Sequence, residues 1–116
     1  MAAALRLTHR HLPGVTVIAL AGELDTTNYE HLPAYLGRCL GDPADQVVFD
    51  LAKLTFLDSS GLRALLLCRR SSLEAGGELR LACLQPLPAR LVEITGVGTH
   101  MATHETVDQA VAAATT

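Results

Sequence analysis

The chain has 116 residues, a formal net charge of −3 and 18% charged residues, which fits one soluble domain (residues 1–116) with its own core. The acidic balance and an aromatic content of 3% argue against a nucleic-acid partner, which would favour a basic patch or a stacking platform. No apolar run could span a bilayer and no signal-peptide pattern is present, so no membrane partner is expected. Three widely spaced cysteines without a C-x-x-C pair indicate free thiols and a cytoplasmic location.

Two strands are predicted near the amino terminus. Residues Leu5–His9 alternate apolar and polar side chains, as a half-buried strand does. Pro13 and Gly14 then mark a turn. The following run, Val15–Ala21, is apolar on both faces, which favours a central position in a sheet. The two runs are therefore predicted to form a hairpin.

A first helix is predicted over residues 27–40. Asp25, Thr26 or Thr27 could cap it, and leucines follow at four-residue spacing, namely Leu32, Leu36 and Leu40. The segment Gly41-Asp42-Pro43 would end the helix.

The most informative stretch begins with Val47–Phe49, three consecutive apolar residues with high strand preference. After a short connection, Asp58 or Ser59 offers a side-chain oxygen that can cap a second helix. The apolar stripe of this helix is predicted to comprise Leu62, Leu65, Leu66 and Leu73.

Further elements follow in the carboxyl-terminal half. A buried strand is predicted over Leu79–Cys83, a helix from the prolines of the 85–88 loop to residues 96–98, and a short edge strand over Thr99–Thr103. A capping box at Thr106 would open the last helix. The strand–helix–strand order predicts an α/β fold with a mixed, partly parallel sheet of four to five strands and about four helices.

Two hydroxyls and a carboxylate are predicted to lie where the central strand meets the second helix. Free N–H groups and the peptide dipoles make such a helix start favourable for an anion such as phosphate. Gly61 would leave this backbone open to a partner, and Asp25 would add a second carboxylate if the two strand ends coincide. The alternative is that Ser59 and Ser60 are only helix-capping residues.

A colinear set of motifs resembles the STAS domain as it occurs in anti-sigma factor antagonists. Its most specific element is Asp58-Ser59-Ser60-Gly61-Leu62, which follows Val48-Phe49-Asp50-Leu51. The earlier Gly22-Glu23-Leu24-Asp25 matches the family's loop after its second strand, and Leu91–Gly96 resembles part of its closing helix pattern. The chain departs from the family near Thr99–Met101, where an aromatic residue would be expected.

The resemblance implies a phosphorylation-controlled partner switch. Ser60, the serine before the glycine, would be the phosphoacceptor. The unmodified protein would bind an anti-sigma factor with serine kinase activity and so release a sigma factor, phosphorylation would abolish binding, and a phosphatase would restore it. No cofactor and no catalytic residue of its own are implied. The expected partner-binding residues are Asp25, Asp58, Ser59, Gly61, Leu62 and Arg63.

The same residues fit two other functions less well. A serine hydrolase would need the Gly-x-Ser-x-Gly elbow, but Leu57 or Asp58 stands where its first glycine belongs. A metal at His100 and His104 would need a helix, whereas that stretch has the pattern of a loop or strand. Within the STAS resemblance, a scaffold or small accessory subunit of a stress-signalling or lipid-trafficking complex would have no need of the Ser60 hydroxyl.

Overall fold

The computed structural model describes residues 4–97 and 100–116. The strands are β1 (Arg6–Leu12), β2 (Val15–Leu24), β3 (Gln46–Leu57), β4 (Leu79–Ala82) and β5 (Ala102–His104). The helices are α1 (His31–Cys39), α2 (Ser59–Glu74), α3 (Pro86–Thr95) and α4 (Val107–Ala114). None of the described helices has the length and apolar character needed to cross a bilayer.

The five strands form one sheet in the order β1-β2-β3-β4-β5. The β1–β2 hairpin is antiparallel, whereas β2–β3, β3–β4 and β4–β5 are parallel pairs. Two parallel neighbouring strands need a crossover connection between them, and in this chain a helix provides it for each parallel pair. The prediction of a mixed, partly parallel sheet with about four helices is therefore confirmed.

The sheet buries apolar side chains on both faces. Val47 and Phe49 of β3 point into a large cluster that also receives side chains from α1, α2 and α3. Val48 points the other way, into a smaller cluster with Ala110 of α4. The helices are thus distributed unequally, three on one face and one on the other.

Two predicted boundaries were wrong. Helix α1 begins at His31 instead of residue 27, because Asp25 and Asn28 hold the preceding residues in hydrogen-bonded turns. The central strand does not end near Phe49 but runs to Leu57, since its second half pairs with β2 through two irregularities in register. The connection to α2 is reduced to the single residue Asp58.

Smaller differences occur further along the chain. Leu73, which was assigned to the buried stripe of α2, is 43% exposed, and Ser72 takes the inward position with 2% exposure. The last strand covers Ala102–His104, later than predicted. Thr99, where that strand was expected to begin, lies outside the described residues, as does Gly98.

Candidate functional site

The carboxyl ends of β2 and β3 lie side by side. In this parallel pair Leu24 is in register with Leu57. The residues that follow them, Asp25 and Asp58, therefore leave the sheet at the same level. The backbone N–H of Asp58 also donates to the carbonyl of Leu24 at 3.3 Å. The coincidence of the two loops, which the sequence left open, follows from the strand order.

Asp58 is the N-cap of α2 and connects the two loops. Its backbone is extended, and its Oδ1 accepts a hydrogen bond from the N–H of Gly61 at 2.9 Å. Its Oδ2 accepts from the N–H of Thr26 at 3.1 Å and from the Thr26 hydroxyl at 3.2 Å. One carboxylate therefore both caps the helix and holds the loop that follows β2.

Ser60 lies in the first turn of α2, and its side chain is partly exposed. Its Oγ is 3.2 Å from Oγ1 of Thr26, and either hydroxyl can donate. The neighbouring Ser59 is exposed. The Ser60 oxygen is thus held at the surface by another hydroxyl, at the helix end where an added anion is favoured.

Asp25 has a different role from Asp58. Its Oδ1 accepts hydrogen bonds from the N–H of Thr27 at 2.9 Å and from the Thr27 hydroxyl at 2.5 Å. Asn28 completes the turn, because its Oδ1 accepts from the N–H of Asp25 at 3.0 Å and its side-chain N–H donates to the carbonyl of Glu23 at 2.9 Å. The hydrogen bonds of the Asp25 carboxylate shape its own loop, while Asp58 makes the connection towards Ser60.

Gly61 and Leu62, both predicted to bind a partner, are inward-facing, so they offer little surface in the free domain. A Cβ on Gly61 would lie 2.5 Å from the carbonyl oxygen of Leu24 and 2.7 Å from Cδ1 of Leu57, so the glycine allows close packing inside the domain. Leu62 is only 5% exposed and belongs to the larger core cluster. Arg63, by contrast, is exposed at the beginning of the second turn of the helix.

Thr26 is the site residue that the sequence did not single out beyond a capping role. It bonds to both Asp58 and Ser60, although 34 positions separate it from the serine. The available signal was positional: two parallel neighbouring strands, each followed by an aspartate, place the next residues within reach of one another. The register of β2 on β3 was needed to recognise it.

The polar side chains of this site are mainly hydroxyls and carboxylates. Within the described parts of the chain, no cluster of three histidine, cysteine or acidic side chains is suited to hold a metal ion. Ser60 has a threonine hydroxyl as its hydrogen-bond partner, where a serine hydrolase would place a histidine. The exposed chemistry of this edge consists of hydroxyls and carboxylates next to a helix start.

The fold and the site together define the class of this protein. It is a mixed α/β domain with a surface serine at the start of the helix that follows the central strand. A model of the STAS domain matches residues 6–110, and the chain belongs to this family. The protein BtrV of Bordetella bronchiseptica, named as an anti-sigma factor antagonist, is 33% identical over 92 residues, which is 79% of each chain.

Solved structures agree with this assignment. An anti-sigma factor antagonist from Mycobacterium paratuberculosis superposes with a TM-score of 0.86 at 23% identity, covering 97% of this chain and 96% of the other. The Bacillus cell-fate determinant SpoIIAA in its phosphorylated form gives a TM-score of 0.67 at 26% identity, covering 93% of this chain and 96% of that one. The fold is shared throughout, and one of these neighbours is a phosphoprotein.

Proposed function

We propose that this protein is an anti-sigma factor antagonist whose binding to an anti-sigma factor is switched off by phosphorylation of Ser60. The observation that carries the proposal is the partly exposed Ser60 hydroxyl at the start of α2, hydrogen-bonded to Thr26. The names of the relatives support the antagonist role, and the phosphorylated form of SpoIIAA supports control by phosphate.

A phosphate on Ser60 would change the charge of this edge sharply. Ser60 Oγ and the Oδ2 atom of Asp58 each lie 3.2 Å from Thr26 Oγ1, so they are at most twice that distance apart. Phosphoserine carries a charge of about −1.5 to −2 at neutral pH. At a separation of ~6 Å, its repulsion with one carboxylate is on the order of 1 kcal/mol in water and several kcal/mol once a partner excludes solvent.

The free domain can accommodate this charge more easily than a complex can. The first-turn N–H groups and the helix dipole favour an anion at Ser60, and solvent screens its repulsion with Asp58. A docked partner removes that solvent and is itself repelled if its surface is acidic. We therefore expect a mainly electrostatic switch, with the sheet and helices unchanged.

The partner that fits this arrangement is an anti-sigma factor with serine kinase activity, which binds the unmodified surface and transfers phosphate to Ser60. A separate phosphatase would reverse the modification. The contact surface would comprise the exposed or partly exposed members of the predicted set, which are Asp25, Asp58, Ser59 and Arg63. Asp25 would act by holding its loop in shape and Arg63 by offering a cation beside the helix start.

The test is to incubate the protein with a candidate anti-sigma factor kinase and ATP and to map the phosphate by mass spectrometry. We expect modification at Ser60 and measure binding of Ser60→Ala, Ser60→Asp and the matched control Ser71→Ala, an exposed serine near the other end of α2, by calorimetry. Ser60→Ala and Ser71→Ala should bind as the wild type does, whereas Ser60→Asp should bind weakly. Equal binding by Ser60→Ala and Ser60→Asp would refute the switch, and an unmodified Ser60 would favour a scaffold or accessory-subunit role.

A further inference from the structure

The face of the sheet that carries α4 is only partly covered. Paired strand residues place their side chains on one side in successive rows, of which one is Arg6, Ala21 and Lys53 and the next is Thr8, Ala19 and Asp50. The row below them enters the smaller core cluster under α4. The upper rows on β1, β2 and β3 face solvent.

These rows form a shallow groove of about 270 Å³, which we call the basic groove. Its floor is made of Ala19 and Ala21, its walls carry Arg6 and Lys53, and Arg10 continues the β1 wall over an adjoining depression. Asp50 also faces the groove, and its Oδ1 accepts a hydrogen bond from the N–H of Ala52. Three cations and one carboxylate thus surround a floor of small side chains.

The cations of the basic groove form no ion pair with the residues that the structure describes. The ion pairs among the described residues are Arg69–Glu78 and Arg70–Glu74, both on α2 or just after it. Arg6, Arg10 and Lys53 are exposed and pair with no described carboxylate. A local excess of positive charge in a chain of net charge −3 would attract an acidic partner and guide its approach.

The dimensions of the basic groove suit a helix. Arg6 and Lys53 are two strands apart, a backbone distance of ~10 Å, which is about the diameter of a helix with its side chains. Alanines between them allow a helix to approach the sheet closely, as α4 does on the other half of this face. Because the walls of the basic groove are charged and not apolar, the groove suits a partner that binds reversibly.

We infer that the basic groove is a second docking surface, separate from Ser60, for an acidic amphipathic helix of a partner protein. The helix would lie over Ala19 and Ala21 and place carboxylates opposite Arg6, Arg10 and Lys53. Binding there would not depend on phosphorylation, because the groove lies on the sheet face opposite the one on which α2 packs.

The probe is an alanine-based helical peptide with glutamates along both edges of one face, titrated by NMR, with its glutamine counterpart as control. We expect chemical-shift changes centred on Ala19 and Ala21, and about tenfold weaker binding when Arg6, Arg10 and Lys53 are all changed to glutamine. The matched control changes three exposed arginines elsewhere, namely Arg38, Arg70 and Arg90, and should alter affinity less than twofold.

A second variant tests the shape of the groove independently of its charge. Ala19→Leu keeps all three cations but fills the floor, so it should also weaken binding, while Ser60→Asp should leave peptide binding unchanged. Equal losses in the two triple variants, or no effect of Ala19→Leu, would overturn the inference. So would tighter binding of an RNA oligonucleotide or of phosphatidylglycerol vesicles, or a dimer in sedimentation that the Arg6, Arg10 and Lys53 substitutions abolish.

Discussion

Replacing Gly61 by alanine tests how closely the loop after β2 is packed against the start of α2. Position 61 is in the first turn of the helix and is buried. The added methyl carbon would lie 2.5 Å from the carbonyl oxygen of Leu24, 2.7 Å from Cδ1 of Leu57 and 3.0 Å from Cγ of Leu24. The nearest obstacle is backbone, so a side-chain rotation cannot remove it.

Two opposing terms decide the sign of the effect. Alanine is favoured over glycine inside a helix by about 1 kcal/mol, and somewhat less near its start. Overpacking a buried site costs about 1–3 kcal/mol, and a clash with a carbonyl oxygen belongs at the upper end of that range. We therefore expect Gly61→Ala to lower the free energy of unfolding by about 1–2 kcal/mol and to loosen the contacts of Thr26 with Asp58.

Gly37 in α1 provides the matched control, since it is an exposed helical glycine with no atom within 4 Å of its added Cβ. There the same substitution should raise the free energy of unfolding by about 0.5–1 kcal/mol. Urea unfolding followed by circular dichroism measures both variants. If Gly61→Ala proved as stable as Gly37→Ala, the close packing between the two loops would be refuted.

Three further predictions concern other side chains. Thr26→Val removes a hydroxyl that bonds to Asp58 and Ser60 and should lower the free energy of unfolding by about 1 kcal/mol, measured in the same urea series; an unchanged midpoint would contradict it. Burial raises the pKa of the Cys68 thiol from 9.0 to about 12, so this thiol ionises at a lower pH in the unfolded chain than in the folded protein. As the pH rises between these two pKa values, the free energy of unfolding should fall by up to about 1.4 kcal/mol per pH unit. A Cys68→Ala variant with an equally steep fall would show that Cys68 is not the group responsible. Cys83 has a φ of 63°, so Cys83→Gly should stabilise the protein by about 1 kcal/mol, and a lower urea midpoint would disprove the strain.

The parts of the fold that depend on local pattern were predictable. The two-faced apolar run of β2 and the cap before α2 follow from side-chain type and spacing. The start of α1 was not predictable, because Asp25, Thr26 and Thr27 are all suitable N-cap residues. In the structure Asp25 holds a turn, and the N-cap position falls on Glu30, which makes no side-chain capping bond. Local propensity could not choose between these hydrogen-bonding patterns.

The candidate site was predictable only in part for a related reason. The position of Ser60 at a helix start follows from the sequence alone, but its contact with Thr26 depends on the pairing of β2 with β3. The inward direction of Leu62 could be anticipated from its place in the apolar stripe of α2. The close packing around Gly61 was not predictable, because a backbone left open to a partner and a tightly packed backbone both require glycine, and only the position of Leu24 distinguishes them.

The hydrogen bonds among Glu23, Asp25, Thr27 and Asn28 give the loop after β2 one defined shape before any partner arrives. A binding surface that is already ordered loses little conformational freedom on association. Complex formation should therefore be limited by diffusion and by long-range charge, with a rate that responds to ionic strength more than to temperature-induced loosening of the loop.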